Sequence, residues 1–210
     1  MKKPDNMDPW VELAVRVQAI AQAGLAYTEG PYDRERYTEL RGIAAEMLAL
    51  RADMPADEIA KFFCRETGYQ TPKVDTRAAV FRDGKILLVH EQNGTWALPG
   101  GWCDVDQSVG GNAVKETREE AGLDVVPEKL VAVHDWRQHN PCNLPYGVVK
   151  FFVQCRLLGG HFTENNETTG TRWFARDELP ATLADEKNTA EQILLCFDAH
   201  DAPQWQTQFD

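Results

Sequence analysis

Hydrophobic and polar positions along this chain change their period near residue 74. Before it, from residue 8 to about Gly68, apolar residues recur every three or four positions, the repeat that places side chains on one face of a helix. Asp8-Pro9 reads as a helix start, a capping Asp with Pro in the first turn, and Trp10, Leu13, Val17 and Ile20 form the stripe behind it. Tyr37, Leu40, Ile43, Ala44 and Met47 make a second stripe, with Asp33 as its candidate cap; Arg36 three residues on leaves the reciprocal capping box unformed. Pro55-Ala-Asp-Glu begins a third, shorter helix ending near Gly68. None of the three buries its apolar face alone, so they are expected to pack together, on the next domain, or on a second copy of the chain. Residues 1–70 are therefore read as a helical dimerisation domain, joined through Gln70-Thr-Pro-Lys to a second domain over 71–210.

Beyond Val74 the pattern becomes that of strands and turns. Ala78–Phe81 and Ile86–His90 flank Arg82-Asp83-Gly84-Lys85, a hairpin turn of the Asp-Gly kind. Asn93-Gly94 marks the next turn, before Thr95-Trp96-Ala97-Leu98. Strands are expected near Leu130–Arg137 and Val148–Leu157, the second broken by Gly159-Gly160, and a third β segment near Thr171–Phe174. A last helix runs from about Thr189 to Ala199 with Ile193, Leu194 and Phe197 on one face. Strands flanking two helices without regular βαβ repetition point to an α/β class, an α/β/α sandwich on a mixed sheet.

The stretch Gly101–Leu123, GWCDVDQSVGGNAVKETREEAGL, carries the candidate chemistry. A glycine turn leads into a short helix bearing Glu116, Glu119 and Glu120, and Gly122 stands where a helix stops. At about 100° per residue, offsets of three and four return to the same face, so three carboxylates crowd one patch. Acidic runs are commonly solvated helix faces. Here the neighbouring turn, Trp96-Ala-Leu-Pro-Gly-Gly101, favours a site, because like charges in a cluster call for a cation and hard oxygen ligands suit Mg²⁺ or Mn²⁺.

This segment resembles the Nudix box, G-x5-E-x7-R-E-U-x-E-E-x-G-U with U a bulky apolar residue, laid down from Gly101 to Leu123. Glu116, Glu119, Glu120, Gly122 and Leu123 fit; Gln107 stands in place of the first Glu, Lys115 in place of the Arg, and Thr117 in place of U. GGWCDVDQS and VDTRAAVF are similar to a branch of that family with a small helical domain in front, which includes pyrophosphatases of CDP-choline and ADP-ribose. The resemblance covers roughly Asp75 to Leu183 and implies the Nudix α/β/α sandwich. It also implies metal-dependent hydrolysis of a pyrophosphate bond that links a nucleoside to another group.

Under that resemblance Glu116, Glu119 and Glu120 are metal ligands. Gly100 and Gly101 bring backbone close to metal and phosphates. The general base is a loop carboxylate, Glu167 with Glu164 as its rival, and Glu119 is a further catalytic candidate. Arg77 could meet a phosphate, Trp96 could stack on a base, and residues 136–139 with 141–145 suit a specificity loop. Gln107 motivates an alternative, a catalytically impaired Nudix domain that binds a nucleotide or a protein.

Composition narrows the partners. Among 210 residues the formal net charge is −11, against capture of nucleic acid or an anionic membrane, and RNA-cap hydrolysis loses appeal for the same reason. A phosphate substrate stays open because a bound cation inverts the local sign. Five scattered cysteines with no C-x-x-C pair argue against a disulfide framework or zinc knuckle. No apolar core follows Met1-Lys-Lys-Pro-Asp and no run approaches the roughly 18 residues of a membrane span, so a cytoplasmic enzyme is expected, its helical domain making it a homodimer.

Overall fold

A computed structural model of the chain describes residues 8–52, 54–141 and 146–210. They form two compact units, one running to Pro72 and including Tyr146 and Gly147, the other made of residues 73–141 and 148–210. The N-terminal residues read for a leader and most of the proline-marked stretch 141–145 lie outside the described residues.

The first unit contains α1 (Pro9–Tyr27), α2 (Pro31–Ala49) and α3 (Ala56–Phe63). Asp8 caps α1, its carboxylate accepting from the Trp10 N–H at 2.8 Å. The expected Asp33 cap is displaced: Gly30 is the N-cap, Pro31 takes the first helical position, for which its fixed φ is suited, and Asp33 pairs instead with Arg36 at 3.0 Å. Helix α3 ends at Phe63 rather than near Gly68. The Arg41 guanidinium donates to the carbonyls of Cys64 and Glu66 there and satisfies oxygens that another helical turn would have used.

The buried face also differs from the stripe of large residues. Ala14, Gln18, Ala21 and Gln22 of α1 are buried against Ala44, Ala45 and Leu48 of α2 and Ile59 and Phe63 of α3. Small residues let the helices approach closely. Gln18 Nε2 donates to Gln22 Oε1 at 2.8 Å, and Gln22 Nε2 donates to the Gly68 carbonyl at 3.0 Å. Leu13, Leu40 and Ile43 are left exposed, and Ile20 is 64% exposed.

The second unit runs β1 (Lys73–Arg82), β2 (Lys85–Glu91), β3 (Trp96–Ala97), β4 (Gly100–Trp102), α4 (Val109–Ala121), β5 (Leu123–Asp135), α5 (Trp136–His139), β6 (Val148–Gly160), β7 (Thr168–Phe174), α6 (Ala190–Asp201) and β8 (Gln208–Phe209). The sheet order is β3-β2-β1-β6-β5-β8, with β4 also on β1 and β7 also on β2. β1–β6 and β5–β8 are parallel and the other pairs antiparallel, which makes the sheet mixed. The Asp83-Gly84 hairpin forms with both residues at positive φ, 53° and 72°, and pairs Arg82 with Lys85.

Alternation along the strands explains the layers. Ala78, Val80, Leu87 and Val89 pack under Ala113 and Ala121 of α4, while Ala79, Ile86 and Leu88 pack with Ile193, Cys196 and Phe197 of α6. An α/β/α sandwich results, as the sequence suggested. Helix α6 is closed by a Thr189/Gln192 capping box.

Several strand limits shift. β5 begins at Leu123, directly after Gly122 ends α4 in the left-handed conformation, and residues 136–139 turn into α5 rather than continue the strand. Gly159 and Gly160 do not break β6; they pair with Asp124 and Leu123 and extend it. β7 begins three residues before its expected start, and β8 was not expected from its two residues.

One buried ion group pins β1 to β6. Asp75 accepts from the Arg77 fork at 2.7 and 3.0 Å and from Lys150 Nζ at 3.1 Å, and all three residues are buried. Removing the shared anion takes from two buried cations the carboxylate they share. Asp75→Ala is expected to destabilise the second unit by about 3–5 kcal/mol, read by denaturant unfolding followed with a probe in that unit; a loss under about 1 kcal/mol would show that the group is solvated like a surface pair.

Candidate active site

Strand β4 and helix α4 bring the carboxylates to the sheet. Gly100 and Gly101 pair with Arg77 and Thr76 of β1. Gly100 sits at φ 150°, and a Cβ there would lie 1.9 Å from the Thr76 carbonyl oxygen. A Cβ on Gly101 would lie 2.9 Å from Glu116 Oε2, so the absence of side chains at this turn is what admits the carboxylate. Ser108 caps α4 by accepting from the Gly111 N–H, and the buried Asn112 donates to Thr76 Oγ1 at 2.8 Å, fixing the helix on β1. Glu120 one turn beyond Glu116 then accepts from the Gly100 N–H at 2.9 Å.

The third carboxylate arrives from far along the chain. Asn165 Oδ1 accepts from the backbone N–H of Glu167 and of Thr168, and Thr168 Oγ1 donates to the Glu120 carbonyl at 2.6 Å. The loop is thereby docked on the end of α4. Glu116, Glu120 and Glu167 each offer an oxygen within 4.8 Å of the others. The sequence pointed to Glu167 as a general base and to Glu119 as the third ligand, whereas the converging trio contains Glu167 and not Glu119. Asn165 and Thr168, which place Glu167, were not expected, although the Asn-Asn-Glu-Thr stretch carries the chemistry of an Asx turn.

Other candidates occupy different places. Glu119 is 54% exposed and pairs with Lys115 at 3.3 Å, on the outer side of the helix. Lys115 also meets Asp104 and Glu116, both at 3.2 Å. Gln107 precedes α4 and lies beside Gly111, its Oε1 3.1 Å from where a Cβ on that glycine would stand. Arg77, a candidate phosphate contact, is 4% exposed with its fork spent on Asp75, so the structure holds it inside the fold rather than toward solvent. Trp96 is half-buried, edge-on to Phe174 at 5.0 Å and tilted on His90 at 4.6 Å, a wall of the core as much as a stacking surface. His139 stacks on His134 at 3.8 Å and meets Asp210 at 3.1 Å.

Burial raises the pKa of Glu116, with Lys115 opposing, and pushes Glu120 up to about 7; the Gly100 N–H, Arg77 and Lys187 pull Glu120 back and Glu91 adds to the rise. Three converging carboxylates, two of them buried and reluctant to ionise, fit a hard divalent cation, which supplies the charge that the surrounding cations leave unmatched.

Comparison with known proteins gives the family. Residues 71–195 match the NUDIX domain, and residues 8–63 match a UDP-X-like N-terminal oligomerisation domain. The chain belongs to the Nudix hydrolase family. Its enzyme class is that of the Nudix pyrophosphohydrolases. A Bacillus subtilis relative, "Putative ADP-ribose pyrophosphatase YjhB", is 42% identical over 96% of this chain and 97% of its own. A solved UDP-X diphosphatase is 37% identical, with a TM-score of 0.63 over 96% of this chain and 98% of that one. An ADP-ribose pyrophosphatase from Streptococcus suis 89-1591 is 54% identical, with a TM-score of 0.63 over 67% of this chain and all of its own (100%).

Glu120 makes the metal-free Nudix unit pH-sensitive. A carboxyl that holds its proton more tightly when folded stabilises the fold most below the ordinary carboxyl range and loses that contribution as pH rises toward about 7. His134, lowered by burial to about 4, contributes the opposite slope. The readout is therefore a difference: in chelator, the thermal midpoint of wild type minus that of Glu120→Gln should fall as pH goes from about 4.5 to about 7. A constant or rising difference would contradict the buried placement of this carboxylate.

Proposed function

We propose that this Nudix protein hydrolyses the pyrophosphate bond of a nucleoside diphosphate linked to another moiety, in a reaction dependent on Mg²⁺ or Mn²⁺. The carrying observation is the meeting of Glu116, Glu120 and Glu167 beside the Gly100-Gly101 turn. ADP-ribose and UDP-linked compounds come first as substrates, because relatives spanning nearly the whole chain are named for them. CDP-choline belongs in the same panel on the strength of the branch motif.

Glu116, Glu120 and Glu167 would hold the cation, which when bound offsets diphosphate charge and polarises water. Gly100 and Gly101, whose backbone the family resemblance brings to the substrate, let β4 lie close on β1 and admit the Glu116 carboxylate, and the Gly100 N–H orients Glu120. Glu167, exposed on its docked loop, is the first choice to accept the proton of the attacking water, and Glu119 is the second. The reading as a catalytically impaired binding module rests on Gln107; the three carboxylates that do converge favour the hydrolase reading over it.

Incubation with ADP-ribose, UDP-sugars and CDP-choline in Mg²⁺ or Mn²⁺ is expected to release nucleoside monophosphate. Glu120→Gln should lower kcat about 100-fold or more, since it weakens the grip on the cation that carries the chemistry. Turnover no higher than that of the variant would remove the proposal and favour the binding module.

We also propose that the helical unit pairs two copies of the chain. Leu13, Ile20, Leu40 and Ile43 present apolar surface on its α1 and α2, and the matching family model is described as an oligomerisation domain. Light scattering should give a dimer mass for the full chain and a lower mass for Ile20→Asp; a monomer mass for the wild type would overturn the assignment.

A further inference from the structure

One lysine outside the Nudix box is placed against the site by a loop with no box residue in it. Between β3 and α6, residues 184–188 are tied down from several directions. The Ala184 N–H donates to the Trp96 carbonyl at 2.9 Å, and Asn188 Oδ1 accepts from the Leu98 N–H at 2.8 Å. Lys150 Nζ donates to the carbonyls of Glu186 and Lys187 at 3.0 and 2.5 Å, and Asn140 donates to that of Asp185 at 2.7 Å. The backbone of Lys187 is therefore fixed. Its side chain, 31% exposed, reaches Glu91 Oε1 at 2.5 Å.

Glu91 ends β2, is itself mostly buried, and pairs in register with Thr168, the neighbour of Glu167. Both Lys187 and Glu91 act through space on Glu120. The register thus sets the ion pair beside the strand start that follows Glu167.

The cations around the trio are not equivalent. Arg77 is locked to Asp75 in the interior, and Lys115 is shared among Asp104, Glu116 and Glu119. Among the described residues Lys187 has a single carboxylate partner, on a flexible four-carbon stem rising from a rigid loop. An ammonium with one carboxylate bond keeps donors for other oxygens, and a lysine point charge suits phosphate. We infer that Lys187 is a diphosphate-binding residue, held by Glu91 until the anion arrives and then transferred from carboxylate to phosphate oxygen. The inference rests on the hydrolase reading above for its substrate class.

A plain structural staple between loop and strand would behave differently. In a staple, removing either partner has the same effect. In a transferable clamp the two removals have opposite signs, because Glu91 competes with phosphate for the same ammonium.

The test is calorimetric titration of full-length wild type, Lys187→Met and Glu91→Gln with methylenediphosphonate, a non-hydrolysable diphosphate, in saturating Mn²⁺. Lys187→Met should bind it about tenfold or more weakly, the size of one charge-assisted hydrogen bond. Glu91→Gln should bind as tightly as wild type or more so, and Mn²⁺ titrated alone should bind Lys187→Met no more weakly than wild type. Equal weakening in both variants, unchanged binding in Lys187→Met, or no binding by wild type would each overturn the clamp. The ADP-ribose assay run alongside separates the two proposals: the expected binding pattern with no hydrolysis would leave the phosphate contact standing and sink the reaction.

Discussion

The Glu120 carboxylate is held where it is costly to ionise, and the site depends on that constraint. Its oxygen is fixed by the Gly100 N–H, its backbone carbonyl receives Thr168, and its neighbours Glu116 and Glu167 bring further negative charge. Burial alone would leave such a residue protonated near neutral pH. A divalent cation would reverse the balance, so the same packing that penalises the empty carboxylates would favour a hard, doubly charged ligand. The glycine turn and the Asn165–Thr168 loop serve this arrangement, one by making space and the other by delivering the third oxygen.

Beneath the site, the sheet supplies rigidity. Asp75 joins Arg77 on its own strand to Lys150 on β6, and Lys150 in turn grips the loop that carries Lys187. The carboxylates on α4 and Lys187 on a distant loop are thus referred to one buried frame. Sites held by strands and helix ends keep their geometry better than sites on unsupported loops.

What the sequence disclosed follows the range of the interactions. The Asp83-Gly84 hairpin, the acidic helix with its Gly122 stop, and α6 are set by neighbours within a few residues, and they were legible. So was the box, because its spacing lies within one turn-and-helix unit. The docking of Glu167 by Asn165 and Thr168 spans 48 residues to Glu120, and the Lys187–Glu91 pair spans 96, distances over which residue patterns give no signal. Arg77 misleads a reader of sequence for a related reason: its partner two residues away on the same strand takes the fork that phosphate would need. In the helical unit the stripes of large apolar residues suggested a core, yet alanines and glutamines share it with Leu48, Ile59 and Phe63, leaving Ile20 as surface. A stripe records that a face is apolar and does not record what covers it.

The central claim is that Glu116, Glu120 and Glu167 form one cation site. Mn²⁺ binding followed by electron paramagnetic resonance, without substrate, tests it most directly. The wild-type chain should retain bound Mn²⁺ that Mg²⁺ displaces, with affinity falling in Glu120→Gln and in Glu167→Gln alike. Binding that is absent, or that survives both substitutions unchanged, would contradict it.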